Sequence, residues 1–477
     1  MLECLQEIHL KSLLIVHKSL SPTSYNLKNL NKFIKSNKSH LFFGAIVFLI
    51  SFILRTYDIA SPYGRTMTAA GSTNFWHIAG ENYLKYGYFS HFFTPILNTG
   101  TNFPPELYTS HPSFTAFYLS IFYLLFGSSV LITKIAALIG WYAVSFLIFK
   151  IAAQKSIRFA YYALLASFVL PFTNGFSLCI DSIGGPLVVV FSLLYFYCLE
   201  TKKNNSWVAF SLILAAFTEW SFVPLIVYSS ISPRYRKYTQ LIWILGLSTY
   251  AFMIWLFINQ TETHTFATAL TRMKQHVDNT ISIDKFFSRI LITYTLTLFT
   301  PFIFIGGYQL IQKYKFTFIP LLFQPLMMVL AFPFGAYKHA FWICTLCPFA
   351  CLAIAEFSTS QLVASISQAL IKKYSKLIPQ IIIIAILIFS GWNTIYHKER
   401  GKTDFYFKAG NFTRTHSNTK EIIVIPAPGM ASDANSERLL LGYYAKRDFI
   451  MLSPIPDNEE KYFWKCSSIK CKRVLLN

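Results

Sequence analysis

The chain has 477 residues, of which 54% are hydrophobic and only 13% charged, with a mean hydropathy of +0.44. Those proportions exclude an ordinary soluble domain and describe an all-α polytopic membrane protein. The formal charge of +21 does not point to nucleic acid, because the lysines and arginines fall in short clusters between apolar runs and form no single basic face.

The clusters are Lys28/Lys32/Lys35/Lys38, Lys150/Lys155/Arg158, Lys202/Lys203, Arg234/Arg236/Lys237, Lys313/Lys315 and Lys372/Lys373/Lys376. Such groups mark cytoplasmic ends of spans and hold anionic headgroups. Residues 1–40 then form a basic cytoplasmic segment without the apolar core and small-residue cleavage site of a signal peptide. Leu41 to Leu54 is the first span. It delivers a polar island, Thr56 to Pro112, to the outer face.

After the island, HPSFTAFYLSIFYLLFG is short and begins with His-Pro, so it reads as an interfacial or re-entrant helix. Leu131 to Phe149 is the second span, Phe159 to Thr173 leads outward, and Gly184 to Cys198 returns. The stretch WVAFSLILAAFTEWSFVPLIVYSS has basic clusters on both sides and reads as a tight hairpin with Glu219 near its tip. Further spans are expected at Leu241–Ile258, Ile290–Gly306, Phe316–Phe334, Phe341–Ala355 and Ile381–Tyr396, giving about eleven crossings and an external C-terminus. The transmembrane domain covers 41–397, with the extracytoplasmic loop at 56–112. Residues 398–477 change character: strand EIIVIPAPG, helix ANSERLLLGYYAK and strand RDFIMLSP make a small α/β extracytoplasmic unit without a GxGxxG fingerprint.

The eight cysteines show no metal-ligand pairing with histidines. Cys344, Cys347 and Cys351 share one face of an apolar helix, where cysteine acts as a small hydrophobe. Cys466 and Cys471 could form a disulfide in an external tail. The ionisable groups expected outside are Asp58, Glu81, Glu106, His77, His91, His111, Arg55, Arg65 and Lys85 in the island, with Asp181, Glu219 and the Lys338-His339 pair beyond it. The loop around Asn259 to Arg289 adds further charges. Asp181-Ser182 suits either a helix cap or a functional acid. Glu219 beside Trp220 reads as an interfacial hairpin tip, and Glu81 as a solvated helix face. Glu106 follows Pro104-Pro105, which would hold it rigidly near the membrane surface, and is the stronger catalytic candidate of the two island glutamates.

Several segments resemble a known family. They are Ile78-Ala79, Asn82-Tyr83-Leu84-Lys85-Tyr86-Gly87, Tyr108-Thr109-Ser110-His111-Pro112, an apolar helix ending LLFG, Asp181, FTEWS at Phe217–Ser221 and KHAFWICTLCPF at Lys338–Phe349. The terminal LLLGYYAKRDFIML continues the likeness. Their order is similar to that of the polytopic glycosyltransferases of the GT-C fold that use lipid-phosphate sugars, including protein mannosyltransferase-like and aminoarabinose transferase-like members. The resemblance implies inverting transfer of a sugar from a polyprenyl-phosphate carrier to a glycan, lipid or protein acceptor on the outer face. A carboxylate would serve the acceptor and basic groups the leaving phosphate. On this reading Glu106, Asp181 and Asp58 are the catalytic candidates, and His111, Tyr108, Arg65, Lys85, Lys338 and His339 the substrate-binding ones. The donor lipid is the one cofactor-like group implied; no metal ligands are assigned. Family members usually carry an acid at the start of the loop helix, which falls here on Ser72, Thr73 or Asn74. A flippase for lipid-linked saccharides, a polysaccharide polymerase or ligase, and an inactive envelope-assembly protein are the competing classes.

Overall fold

A computed structural model describes residues 38–476, except 64–69, 90–92, 101–106, 109–110, 261–281, 315–316, 361–376, 400–404, 418–422, 427–438, 448, 453–460 and 468–469. The architecture is helical, with a small sheet at the C-terminal end. Among the described residues four helices are long and apolar enough to cross a membrane: Ser39–Thr56, Val130–Ala153, Ala340–Thr359 and Ile378–Tyr396. Shorter apolar helices fill the spaces between them, among them Ile157–Val169, Pro186–Glu200, Asn205–Thr218 and Ile319–Ala331.

The expected segment Phe159–Thr173 is helical but broken. Helix Ile157–Val169 stops at Leu170, and Pro171 opens a new turn, Pro171–Gly175. Proline has no N–H to give to the carbonyl four residues earlier, here Ser167. The first helix supplies replacements. Arg55 donates to the Ser167 carbonyl and to Asn174 Oδ1, while Ser51 donates to the Phe168 carbonyl at 2.7 Å. Thr173 adds a second donor to Ser167 at 2.9 Å, and Asn174 passes the network to Ser390 of the Ile378–Glu399 helix. Arg55 is fully buried, its guanidinium over the rings of Tyr142 and Phe168. Three helices are thus locked to one proline kink, and Arg55 is structural.

Ile290–Gly306 departs from the expectation of one straight span. A π-helical stretch, Ser288–Tyr294, runs into the short helix Thr295–Leu298. The chain then breaks at Thr300, whose φ is 69°, and Pro301 before resuming as Phe302–Tyr314. The two arms meet at 88°. The second arm packs tightly on Cys347–Thr359, where a Cβ on Gly306 would collide with the Ala353 carbonyl. Cys344, Cys347 and Cys351 are buried free thiols, filling the small-hydrophobe role expected of them.

The charges divide between two ends of the bundle. At one end the Glu200 side chain is buried and accepts from Arg234 and from the Tyr235 hydroxyl at 2.6 Å, Arg234 also reaches Thr317, and Lys313 pairs with buried Glu356 at 2.8 Å. Helix Pro186–Glu200 rises about 22 Å from its first residue to Glu200. Asp181, just before that helix, and Glu219, where the next helix Asn205–Thr218 returns, therefore share the opposite end.

The island lies at the Asp181 end. Its helix, Ala70–Tyr86, carries the Asn-Tyr-Leu-Lys-Tyr-Gly motif at its close. Asn82 Nδ2 donates to the carbonyls of Ile96 and Asn98 at 2.8 and 2.9 Å, and the Tyr83 hydroxyl to the Phe93 carbonyl. Gly87, at φ 85°, ends the helix in the left-handed conformation that glycine adopts without steric cost. The motif thus folds the chain back along the helix, where Ile96 bridges Leu107. Helix Phe114–Phe126 packs on it, with Gly80 against Leu119 and Tyr123.

In the tail, β1 (Ile423–Pro426) pairs in parallel with β2 (Phe449–Leu452), and the 439–445 helix lies between them in sequence, as the pattern predicts. The sequence reading missed β3 (Lys461–Ser467) and β4 (Lys470–Leu476), an antiparallel pair that completes the order β2-β1-β3-β4. Cys466 and Cys471 stand opposite one another in that register.

Candidate functional site

Three distant segments meet at the Asp181 end of the bundle. His111 opens the helix Phe114–Phe126, Asp181 precedes Pro186–Glu200, and Glu219 sits between Asn205–Thr218 and the 3-10 turn Trp220–Phe222. His111 Nδ1 lies 3.1 Å from both carboxylate oxygens of Glu219. Glu219 is 1% exposed and His111 23%, so a fully buried acid is joined to a ring that still reaches solvent. Glu219 is also held by its own chain, accepting from the Trp220 backbone N–H at 2.8 Å. Trp220 stacks on Tyr250, whose hydroxyl reaches the Glu219 carbonyl.

Asp181 is buried beside this pair. Its Oδ1 accepts from the backbone N–H groups of Ile183 and Gly184, both at 2.8 Å. The helix cap expected of Asp181-Ser182 does not form: Gly185 is the N-cap of Pro186–Glu200 and no side chain caps that helix, while Asp181 instead closes a tight turn ahead of Gly185 and Pro186. Burial pushes the Asp181 carboxyl above the ordinary carboxylate range, and the nearby Glu219 adds to that shift; the two N–H donors and His111 oppose it. Two carboxylates and an imidazole thus share one electrostatic neighbourhood.

The turn is clamped from behind. A Cβ on Gly184 would strike the Phe341 ring, one on Gly185 would strike the Asp181 carbonyl, and Cys344 Sγ lies 3.0 Å from the Ile183 carbonyl. Phe341 and Cys344 belong to the Ala340–Leu346 turn, which brings His339 alongside: its ring stacks on Trp342 and lies 5.3 Å from Phe341. Lys338 ends the preceding helix, Pro333–Lys338. Arg289 joins this rim from the broken span. It donates to the Tyr294 hydroxyl at 2.8 Å and covers the Tyr337 ring, and Tyr294 in turn donates to the Tyr337 carbonyl.

Tyr108 connects the island to the cluster. Its ring packs on Phe75 and Trp76 and lies 5.9 Å from His111, and its N–H donates to the Pro95 carbonyl. Thr73, one of the positions where an acid was expected, accepts from the Ile180 N–H at 3.1 Å. The island helix start is thereby tied to the Asp181 turn through a hydroxyl.

The remaining candidates stand elsewhere. Asp58, in the left-handed region at φ 68°, accepts from Ser61 Oγ at 2.7 Å and gives its carbonyl to Lys134. Its described contacts serve a turn and do not join it to the His111–Glu219 pair. Lys85 donates to the Gly100 carbonyl at 3.2 Å, in a separate cleft. Glu106 and Arg65 lie outside the described residues. His77, fully buried, binds Tyr63 and Thr133 at 2.8 Å, and burial drops its pKa to about 3, so it is a neutral structural hub. Among the described residues no three His, Cys, Asp or Glu side chains are grouped as metal ligands.

Glu219 is the residue whose role the sequence reading missed: it is a buried acid and not an interfacial tip. The signal was its place inside an apolar hairpin, where an ionisable group is costly unless it is paired. Arg289 figures in the sequence only as the end of a long charged loop.

No family model matches the chain, and no curated protein matches it. Solved structures do. ArnT from Cupriavidus metallidurans in the apo state superposes with a TM-score of 0.54 at 10% identity, over 88% of this chain and 86% of that one. The same protein bound to undecaprenyl phosphate gives 0.54 at 11% identity, over 86% and 85%. The Archaeoglobus fulgidus oligosaccharyltransferase, tethered to an acceptor peptide containing the NVT sequon, gives 0.57 at 14% identity, over 88% of this chain and 64% of that one. The chain is an integral membrane protein with the GT-C fold of membrane glycosyltransferases.

Proposed function

We propose that the chain is an integral membrane glycosyltransferase that moves a sugar from a polyprenyl-phosphate carrier to an acceptor hydroxyl or amide on the outer face. The observation that carries this reading is the buried Glu219 held 3.1 Å from partly exposed His111 beside buried Asp181. An ion pair kept only for stability is poorly served by such a place, because burying a carboxylate costs several kcal/mol or more before pairing returns any of it. The undecaprenyl phosphate bound to a neighbour of the same fold supports the choice of donor.

The roles follow from charge. In an inverting displacement the acceptor oxygen or nitrogen bonds to the anomeric carbon as the bond from that carbon to the phosphate oxygen breaks. The electron pair leaves with the lipid phosphate, and the acceptor proton passes to a carboxylate. Glu219 is the base in this scheme, oriented by His111 and the Trp220 N–H. Asp181 orients the acceptor or the sugar. Arg289, Lys338 and His339, on the rim that clamps the Asp181 turn, meet the phosphate, with Tyr108 as an apolar wall. The basic connectors at the opposite end face the cytoplasm.

The test is the lipid pool of the cells that make the protein. Deleting its gene should raise polyprenyl-phosphate sugar on the outer leaflet, where the transferase would have consumed it. Accumulation on the cytoplasmic leaflet instead would favour the flippase, and an unchanged pool would refute both.

A further inference from the structure

A second cleft, of about 410 Å³, opens between the island helix and the tail, away from the carboxylate cluster. Its walls include Glu81, Asn82 and Lys85 from the helix, Asn98 from the returning strip, and Tyr443 and Lys446 from the tail. The size lies within the range of small-ligand sites. We propose that this cleft binds an acidic saccharide, as a subsite for the far end of a glycan acceptor whose reacting end lies at Glu219. The acceptor role rests on the transferase reading; the binding site itself does not.

Three observations carry it. The cleft is assembled from two parts of the chain hundreds of residues apart, and the join is built: Thr99 Oγ1 donates to the Arg447 carbonyl at 2.6 Å, and the Tyr444 hydroxyl reaches the Tyr63 carbonyl. Its polar groups are those that bind sugars. An aromatic ring offers a face to C–H groups, while a carboxylate, an amide and ammonium groups pair with adjacent hydroxyls. The charge is unbalanced toward cations. Lys446 meets both Glu81 oxygens at a long 3.4 Å and lies over the Tyr443 ring, so an incoming anion competes for it on good terms. Lys85 donates to an uncharged carbonyl, that of Gly100, and covers the Tyr86 ring; among the described residues no carboxylate pairs with it.

The strip that lines the cleft is also tied to the neighbourhood of the proposed active site. The strip that bears Asn98 begins at Pro95, whose carbonyl accepts from Tyr108, and Tyr108 lies beside His111.

Saturation-transfer NMR on the full-length protein in detergent tests the proposal, with the trisaccharide of galacturonic acid as probe and maltotriose as the neutral comparison. The acidic trisaccharide should bind saturably and at least ten-fold more tightly than maltotriose. Lys446→Gln and Lys85→Gln should each weaken it five-fold or more while leaving the gel-filtration profile unchanged. Absence of saturable binding, equal binding of maltotriose, or indifference to both lysine variants overturns the proposal. Binding that behaves as expected in a protein that consumes no lipid-linked sugar would keep the site and remove its acceptor role.

Discussion

At the residue scale the account turns on Glu219, His111 and Asp181. Asp181 and His111 were legible in the sequence as an acid before a span and as part of the Tyr-Thr-Ser-His-Pro motif. Glu219 was not, because hydropathy places a residue relative to lipid and cannot say which apolar helices close over it. Nor could spacing reveal that residues 108 positions apart would meet. Removing the base by Glu219→Gln, which keeps the shape, should lower transfer by about 10²- to 10⁴-fold with little change in apparent donor affinity. His111→Ala should give a smaller loss, read in the same assay. The pH profile carries a further sign. A buried acid with a raised pKa stays protonated to higher pH, so if ionised Asp181 is needed, activity falls on the acid side at a pH above the ordinary carboxylate value. Asp181→Asn should remove that limb along with most of the activity. A limb that persists unshifted in Asp181→Asn would assign it to another group.

At the element scale, breaks in helices matter more than the helices. The sequence reading found most segments because apolar runs have length, yet it drew Ile290–Gly306 straight through Thr300-Pro301, where the chain turns by 88°. Arg289 lies on the arm before that turn, over Tyr337 at the rim. The kink at Pro171 shows how such a break is stabilised: the carbonyls it frees are taken up by Ser51, Arg55 and Thr173. Arg55 is the charged donor to the Ser167 carbonyl and to Asn174 Oδ1, each of which would keep only a hydroxyl donor without it, and a hydrogen bond from a charged group contributes about 1.5–3 kcal/mol. Arg55→Met should therefore lower the thermal midpoint in detergent by several degrees, while Arg55→Lys, which keeps one donor, should recover part of it. An unchanged midpoint in Arg55→Met would show that the network contributes nothing. The Asn-Tyr-Leu-Lys-Tyr-Gly motif was recognised by likeness; its physical content, an amide and a hydroxyl that pin the returning strip before a left-handed glycine, became visible only with the strip in place. In the tail, the β-α-β unit followed its pattern. The β3–β4 hairpin did not, because its charged, cysteine-bearing strands lack a clean alternation.

At the scale of the whole molecule, the segregation of charge is what makes the site intelligible. Glu200, Arg234, Lys313 and Glu356 gather at one end and His111, Asp181 and Glu219 at the other, which the spacing of basic clusters had anticipated. On a background carrying Cys4→Ser, Cys466→Ser and Cys471→Ser, the exposed positions Lys202→Cys and Leu84→Cys should label from opposite faces with an impermeant maleimide. Labelling of both from one face would contradict the proposed sidedness. The central claim is that the carboxylate cluster at the outer end discharges a polyprenyl-phosphate sugar. Its most direct test follows radiolabelled polyprenyl-phosphate sugar in membrane vesicles that contain the wild-type protein, Glu219→Gln or Asp181→Asn at matched amounts. The account predicts loss of label from the lipid with the wild type and retention with both variants; equal discharge by all three proteins would contradict it.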